Sequence, residues 1–177
     1  MAYGETPIAK GAMYRLIGGQ IADKFVFQFN PEEVKETLGV NWAYSESPGQ
    51  YIPAAQFGSF QQSPVQFQLF LFGRESGEVS ADYIDRQVAR LQLFQSPGPE
   101  FSAEQSQFIS PGRAKLIMGT RAWSGVVEML DFSYPMFDRS FRPISAVVGV
   151  SFKLVSFGLQ DEVNHLDRIR GRSGLSG

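Results

Sequence analysis

The chain contains no cysteine, and only one histidine and two tryptophans among its 177 residues. Without thiols it has no disulfide, no thiolate metal site, no iron–sulfur ligand and no cysteine nucleophile. Such a composition suits a protein made in the cytoplasm, including one later released in a particle. His165 lies beside Asn164 in an arginine-rich tail, with no second imidazole to share a metal or build a triad. It reads as a solvated side chain. Charge is also sparse: 19% of residues, 16 basic against 18 acidic, for a net charge of -2. That excludes a strong electrostatic grip on nucleic acid or on an anionic membrane. Long apolar runs are missing too. Phe25 to Phe29 and Phe67 to Phe72 are interrupted by Gln28 and Gln68, and both fall far short of the roughly 20 residues that span a bilayer. The segment Met1 to Pro7 has no basic stretch followed by an apolar one, so it does not read as a signal peptide. Ala2 stands where N-myristoylation needs glycine.

What the chain does have is phenylalanine, 16 residues of it, within a hydrophobic fraction of 43%. This is enough apolar material, over this length, for one domain with a real core. Residues 1–11 read as an irregular arm and 12–17 as a strand. Gly18-Gly19 then supplies a tight hairpin turn. The return strand is expected over about 20–29, with Phe25, Phe27 and Phe29 on one face, stopped by Asn30-Pro31. A further strand is expected at 34–44. The stretch 48–59, with Pro48, Gly49, Pro53 and Gly58, reads as a long contact loop.

Residues 63–73 give the clearest strand pattern. Val65, Phe67, Leu69 and Leu71 alternate with Gln66, Gln68, Phe70 and Phe72, so the aromatic end should be covered on both faces. A helix is expected over 81–94, capped by Ser80, with Asp82 in its first turn and Ile84, Val88 and Leu91 as its apolar stripe. Residues 96–113 read as irregular. Strands follow at 114–118, 123–134 and 145–157, the second with Val126, Leu130, Phe132 and Tyr134 as its apolar face. Pro135 to Pro143 reads as the connection between the last two. The tail 158–177 is expected to begin as a short helix and to end disordered. The reading is one domain over 1–157 plus that tail. Its class is mainly β: two packed antiparallel sheets, as a sandwich or barrel, with one α-helix at about 81–94.

A search for chemistry gives little. Glu32 and Glu33 are adjacent and point different ways, which makes a poor acid/base pair. Glu46, Glu75, Glu78, Glu100, Glu104, Glu128 and Asp131 could supply a glycosidase pair, but no spacing favours one. Gly18-Gly19 lacks the strand–turn–helix context and the Lys-Ser/Thr of a phosphate loop. No G-x-S-x-G nucleophile elbow is present. The aromatics at 25, 27, 29, 67, 70 and 72 fit a sheet core better than a base-stacking platform, given the low basic charge. We expect no catalytic residue, no metal and no cofactor. A large aromatic core with long polar loops suits a structural or interaction module better than an enzyme.

Four blocks in order carry a resemblance: Phe27-Gln28-Phe29-Asn30-Pro31-Glu32-Glu33-Val34 followed by Trp42; Ile52-Pro53 to Phe72; Ala81 to Phe94; and Arg113 to Gly119 through Trp123-Ser124-Gly125-Val126-Val127-Glu128 to Tyr134-Pro135-Met136-Phe137-Asp138 and the closing strand. Over about residues 10–157 the chain resembles the tube-like baseplate adaptor family of contractile injection systems and contractile phage tails. The resemblance implies a tail-tube-like fold and a ring, usually of six copies, that joins the inner tail tube to the central hub and spike. The implied partners are further copies of the chain, the tube protein, the hub–spike protein and baseplate wedge proteins, with no specific nucleic acid and no membrane insertion. The implied location is a virion or phage-like particle assembled in the bacterial cytoplasm. Many members carry a C-terminal LysM module, whereas only residues 158–177 follow the last strand here. The family's P-x-R-A before that strand is Pro143-Ile144-Ser145-Ala146. Candidate contact residues are Tyr51, Ile52, Pro53, Gln56, Phe57, Phe70, Phe72, Phe101, Phe108, Arg168 and Arg170. Strands 63–72 and 145–157 are expected to carry a sheet on between subunits. The alternatives are a tube-initiator ring of the same machinery, a phage-derived peptidoglycan hydrolase, and a single-strand nucleic-acid binder whose binding would depend on salt.

Overall fold

A computed structural model describes residues 9–17, 19–45, 48–49, 51–52, 54–75, 78–96 and 112–155. Among the described residues the chain is mainly β, with antiparallel ladders, open sheets and one helix. The barrel form of the expected class is therefore set aside, since among the described residues no sheet closes on itself.

The strands are β1 (Ala12–Ile17), β2 (Gln20–Val26), β3 (Val34–Lys35), β4 (Leu38–Ser45), β5 (Ala54–Gln62), β6 (Val65–Phe72), β7 (Arg74–Glu75) and β8 (Glu78–Val79). The helix α1 (Ala81–Gln92) follows, then β9 (Arg113–Met118), β10 (Arg121–Phe137) and β11 (Pro143–Leu154). The hydrogen-bonded order of the main sheet is β2-β1-β9-β10-β11-β6-β3, while β4-β5 and β7-β8 are separate ribbons. Two compact units divide these elements. One comprises residues to Phe27, Val88–Val127 and residues from Leu154; the other comprises Gln28–Gln87 and Glu128–Lys153.

In the first unit, β1 pairs with β2 and with β9, and β9 with the start of β10. Gly19 takes a φ of 82° in the β1–β2 turn, the left-handed region that glycine enters without strain. Met13, Phe25, Phe27, Leu91, Phe94 and Leu116 are buried here. The second strand stops at Val26, not at 29. Phe27 leaves the ladder, its N–H bonding the carbonyl of Gly11 at 2.9 Å, and Phe29 is exposed. Two of the three phenylalanines expected on one face are thus core and the third is surface.

In the second unit, β6 pairs with β11 over eight residues, from Phe72 opposite Ser145 to Val65 opposite Phe152. Val65, Phe67, Leu69 and Leu71 are all buried, as their alternation requires, against Val148, Val150 and Phe152 of β11. The helix begins with Asp82 in its first turn and Ile84 fully buried. It ends at Gln92, two residues before the expected Phe94, which is buried in the turn that follows.

Other expectations are corrected. The strand expected at 34–44 is interrupted, with β3 and β4 separated by Glu36 and Thr37. The second half of the loop expected at 48–59 is the start of β5, which begins at Ala54. Strand β10 runs through Pro135 to Phe137 and leaves only a short turn before β11. Its buried residues in the first half are Trp123, Gly125 and Val127, so the expected apolar face at Val126, Leu130, Phe132 and Tyr134 is only half-buried. The N-terminal arm up to residue 8, Gly18, most of 96–113 and the tail from 156 lie outside the described residues.

Arg142, entering β11, bonds the carboxylates of Asp82 and Asp85 on the first turns of α1. Its hydrogen bond and then its charge hold the Asp82 carboxyl below its ordinary value of 3.8. A carboxylate lowered in this way contributes stability above its unfolded-state value and loses that contribution as pH falls through the lowered one. Arg142→Ala should therefore be less thermostable than the parent at neutral pH. The gap should close below about pH 4, and thermal melts of both proteins from pH 7 to 3 check it. Both groups are exposed, so the difference will be small.

Candidate assembly surface

The β4–β5 ribbon lies within the second unit and exposes nearly every residue. On β4, Leu38, Val40, Trp42 and Tyr44 share one face by alternation. On β5, Phe57 and Phe60 are three residues apart, so a regular strand would put them on opposite faces. The ladder corrects this. Asn41 pairs with Ser59 and Trp42 with Phe57, so Gly58 is the extra residue of a bulge. A Cβ on Gly58 would lie 3.1 Å from the Asn41 carbonyl oxygen, so glycine suits the site. Past the bulge, Phe60 stands opposite Val40 on the Trp42 face. The rings meet there: Trp42 and Phe57 edge to face at 6.0 Å, and Phe57 and Phe60 tilted at 5.0 Å.

The opposite face carries Gly39, Asn41, Ala43, Gln56, Ser59 and Gln61. Neither strand contains a charged residue. The ribbon is thus amphipathic and uncharged, with its apolar face open: Phe60 is 80% exposed. An isolated two-stranded ribbon is marginal in water, and a cluster of large exposed apolar side chains marks an interaction surface.

A second exposed aromatic group tops the β10–β11 turn. Phe137 and Phe141 stack at 4.5 Å and 8°. Phe141 is 79% exposed with a φ of 60°, a left-handed conformation that strains a bulky side chain such as phenylalanine. Asp138 holds the turn, its Oδ1 accepting from the N–H groups of Ser140 at 2.8 Å and Arg142 at 2.9 Å.

Of the candidate contact residues, Gln56 and Phe57 lie on β5, while Tyr51 and Ile52 occupy the β4–β5 connection and are 104% and 80% exposed. Phe70, on the outer face of β6, is 44% exposed and meets only the tilted ring of Phe29, at 5.8 Å, among the described aromatics. Phe72 is half-buried. Among the described residues of one copy the aromatic end of β6 is thus only partly covered. Pro53, Phe101, Phe108, Arg168 and Arg170 lie outside the described residues. Leu38, Val40, Trp42, Tyr44 and Phe60 were not among the candidates. The alternation of 38–44 was the available signal, but the Gly58 bulge hid its partner strand.

Among the described residues, no group of three His, Asp or Glu side chains could hold a metal ion, and no helix is long and apolar enough to cross a membrane. An open-sheeted β fold with an uncovered, uncharged aromatic ribbon defines a chain built around its surfaces. Residues 16–156 match the family described as contractile injection system tube protein, and the chain belongs to that family. The family is one of structural tube components. The chain is also similar to a chain in the cryo-EM structure of the anti-feeding prophage (AFP) baseplate, 6-fold symmetrised. The two are 9% identical, with 84% of this chain and 93% of that chain covered and a TM-score of 0.38. No curated protein matches.

Proposed function

We propose that this chain is a non-enzymatic adaptor that joins the inner tail tube to the central hub and spike of a contractile phage tail or phage-like injection particle. Copies of the chain form a ring. The tube protein meets one side of it and the hub–spike protein the other, with baseplate wedge proteins as further neighbours. The particle assembles in the bacterial cytoplasm. The observation that carries the reading, beyond family membership, is the β4–β5 ribbon: six large apolar side chains on one face, without charge, in a family of tube proteins. A ring closes through head-to-tail contacts between two different surfaces of each copy, and the ribbon is suited to be one of them.

Cryo-EM of sheathed particles from the source organism, with this chain first identified by mass spectrometry, tests the role. The expected result is a ring of the chain between tube and spike. A ring elsewhere along the tube would replace the adaptor role with that of a tube or initiator layer. Intact particles lacking the chain would overturn the proposal.

The outer face of β6 gives a separate expectation. Phe70→Ser with Phe72→Ser should block incorporation into particles while the chain still folds, because Phe70 is 44% exposed and Phe72 only half-buried. Particle pull-down and circular dichroism read the two outcomes. Incorporation at the parent level would remove this face from the assembly surface.

A further inference from the structure

The net charge of -2 hides an uneven distribution. Among the described residues, the first unit holds seven basic residues and one acidic, and the second holds six basic and ten acidic. The one acid of the first unit, Asp23, is already engaged, because its carboxylate pairs with Arg90 at 3.2 Å.

The strand register gathers part of the positive charge on one face. Met13, Phe25, Leu116 and Trp123 lie in one row across β2, β1, β9 and β10, and all four are buried. One residue along each strand, the opposite face carries the row Lys24, Tyr14, Lys115, Ser124. Lys24 Nζ sits 5.5 Å from the centre of the Tyr14 ring. Exposed Ile21 and Val26 of β2 share this face, opposite Leu16 and Ala12 of β1. Lys24 is exposed, Lys115 is half-buried, and neither ammonium has a carboxylate partner among the described residues. Unpaired cations on a partly apolar face fit an acidic partner with an apolar flank, since potentials across an interface are complementary.

The chain itself offers such a surface. Glu32 and Glu33 precede β3 and are exposed, beside the exposed Val34. Arg142 occupies Asp82 and Asp85, and Lys153 occupies Glu128. Glu32 has no such partner among the described residues, and Glu33 meets only the solvated Lys35, at 3.5 Å. Two strand spacings put Lys24 and Lys115 about 10 Å apart across Tyr14. Two adjacent glutamates with diverging side chains can meet both.

Resting on the proposed ring, we propose that the Lys24–Tyr14–Lys115 face of one copy receives the Glu32–Glu33 segment of a second copy. The contact is made by side chains on the open face of the strands and needs no backbone pairing between copies. It joins two different surfaces head to tail, as ring closure requires. It also rejects the reversed approach, in which lysine would meet lysine.

A charge swap tests this. Lys24→Glu with Lys115→Glu reverses the face, and Glu32→Lys with Glu33→Lys reverses the segment. Each pair, as the sole source of the chain, should lower its incorporation into particles about tenfold or more, because like charges then meet at every contact. All four substitutions in one chain restore opposite charges and should recover most of the parent's incorporation. Mass spectrometry of purified particles reads the amounts, and circular dichroism checks that each chain folds. If the face pair does not fold, Lys24→Gln with Lys115→Gln keeps the side-chain length and should still lower incorporation. Parent-level incorporation of either pair, or of the glutamine variant, overturns the docking while leaving the ring reading intact. So does a four-residue variant no better than the pairs. Particles in which the parent chain forms no ring overturn both.

Discussion

Trp42→Ser, Phe57→Ser and Phe60→Ser together should abolish incorporation of the chain into particles and leave its core folded. The three rings form one cluster, Trp42 on Phe57 at 6.0 Å and Phe57 on Phe60 at 5.0 Å, so they present a single surface. Fully covering a large apolar side chain is worth about 1.5–3 kcal/mol. Trp42 and Phe57 are already half-covered within the ribbon, so their gain is smaller than that of Phe60. Taken together the loss is about 4 kcal/mol per contact, a weakening of about a thousandfold. Because a ring repeats its contact at every copy, the effect on the assembly exceeds that on one interface. The core is a different matter. Phe25, Phe27, Leu69, Leu116 and Phe152 are buried and none of the three substituted residues is. Circular dichroism and the melting temperature should therefore stay near the parent's, apart from the contribution of the ribbon itself. Incorporation at the parent level with all three substitutions would remove the ribbon from the assembly surface.

The elements that the sequence made legible are those where one local pattern agrees with burial. In β6, Val65, Phe67, Leu69 and Leu71 alternate without interruption and all four are buried. In α1, Ser80, Asp82, Ile84 and Leu91 mark the start and the apolar stripe, and the helix is there. The ribbon was illegible because a bulge changes parity. Phe57 and Phe60 look out of phase until Gly58 is taken out of the ladder, and Pro53, Gly58 and the small polar residues around them read as loop. Strand β10 was read as too short because Pro135 looks like a stop. Proline is tolerated where a strand lacks a neighbour on one side, as β10 does beyond Gly125 among the described residues. The exchange of Phe29 from core to surface had no local signal. It depends on Phe27 bonding to Gly11, sixteen residues earlier in the chain, which ends the alternation of β2.

The candidate site shows the same division. Tyr51, Ile52, Gln56 and Phe57 were candidates because 48–59 reads as a long loop of proline, glycine and small polar residues. The residues that accompany them on the apolar face, Val40, Trp42 and Tyr44, resemble ordinary core alternation. Only the absence of a covering layer within the described chain turns a core pattern into a surface.

Gly73→Ala should be among the most destabilising single substitutions in the chain, for a reason no sequence pattern displays. Gly73 follows β6 and is fixed on both sides: its N–H donates to the Ile144 carbonyl at 2.8 Å, and its carbonyl accepts from the Ser80 N–H at 2.7 Å. A Cβ there would lie 2.4 Å from the Ser80 carbonyl oxygen, 3.1 Å from the Ile144 oxygen and 3.2 Å from Ile84 Cγ1. The nearest atoms are backbone, so no rotamer change relieves the clash. Relief requires moving Ser80 and with it the start of α1, where Ile84 is fully buried. Forced overpacking of this kind costs about 3 kcal/mol or more, which for a chain of this size lowers the melting temperature by roughly 10 °C. Gly39→Ala is the matched comparison. Its Cβ would meet nothing closer than 3.7 Å, on the solvated ribbon, and the melting temperature should hardly change. Differential scanning calorimetry of the two variants separates a steric requirement at Gly73 from a general intolerance of added methyl groups. Equal melting temperatures for both would mean that the junction of β6, β11 and α1 yields more readily than its hydrogen bonds imply.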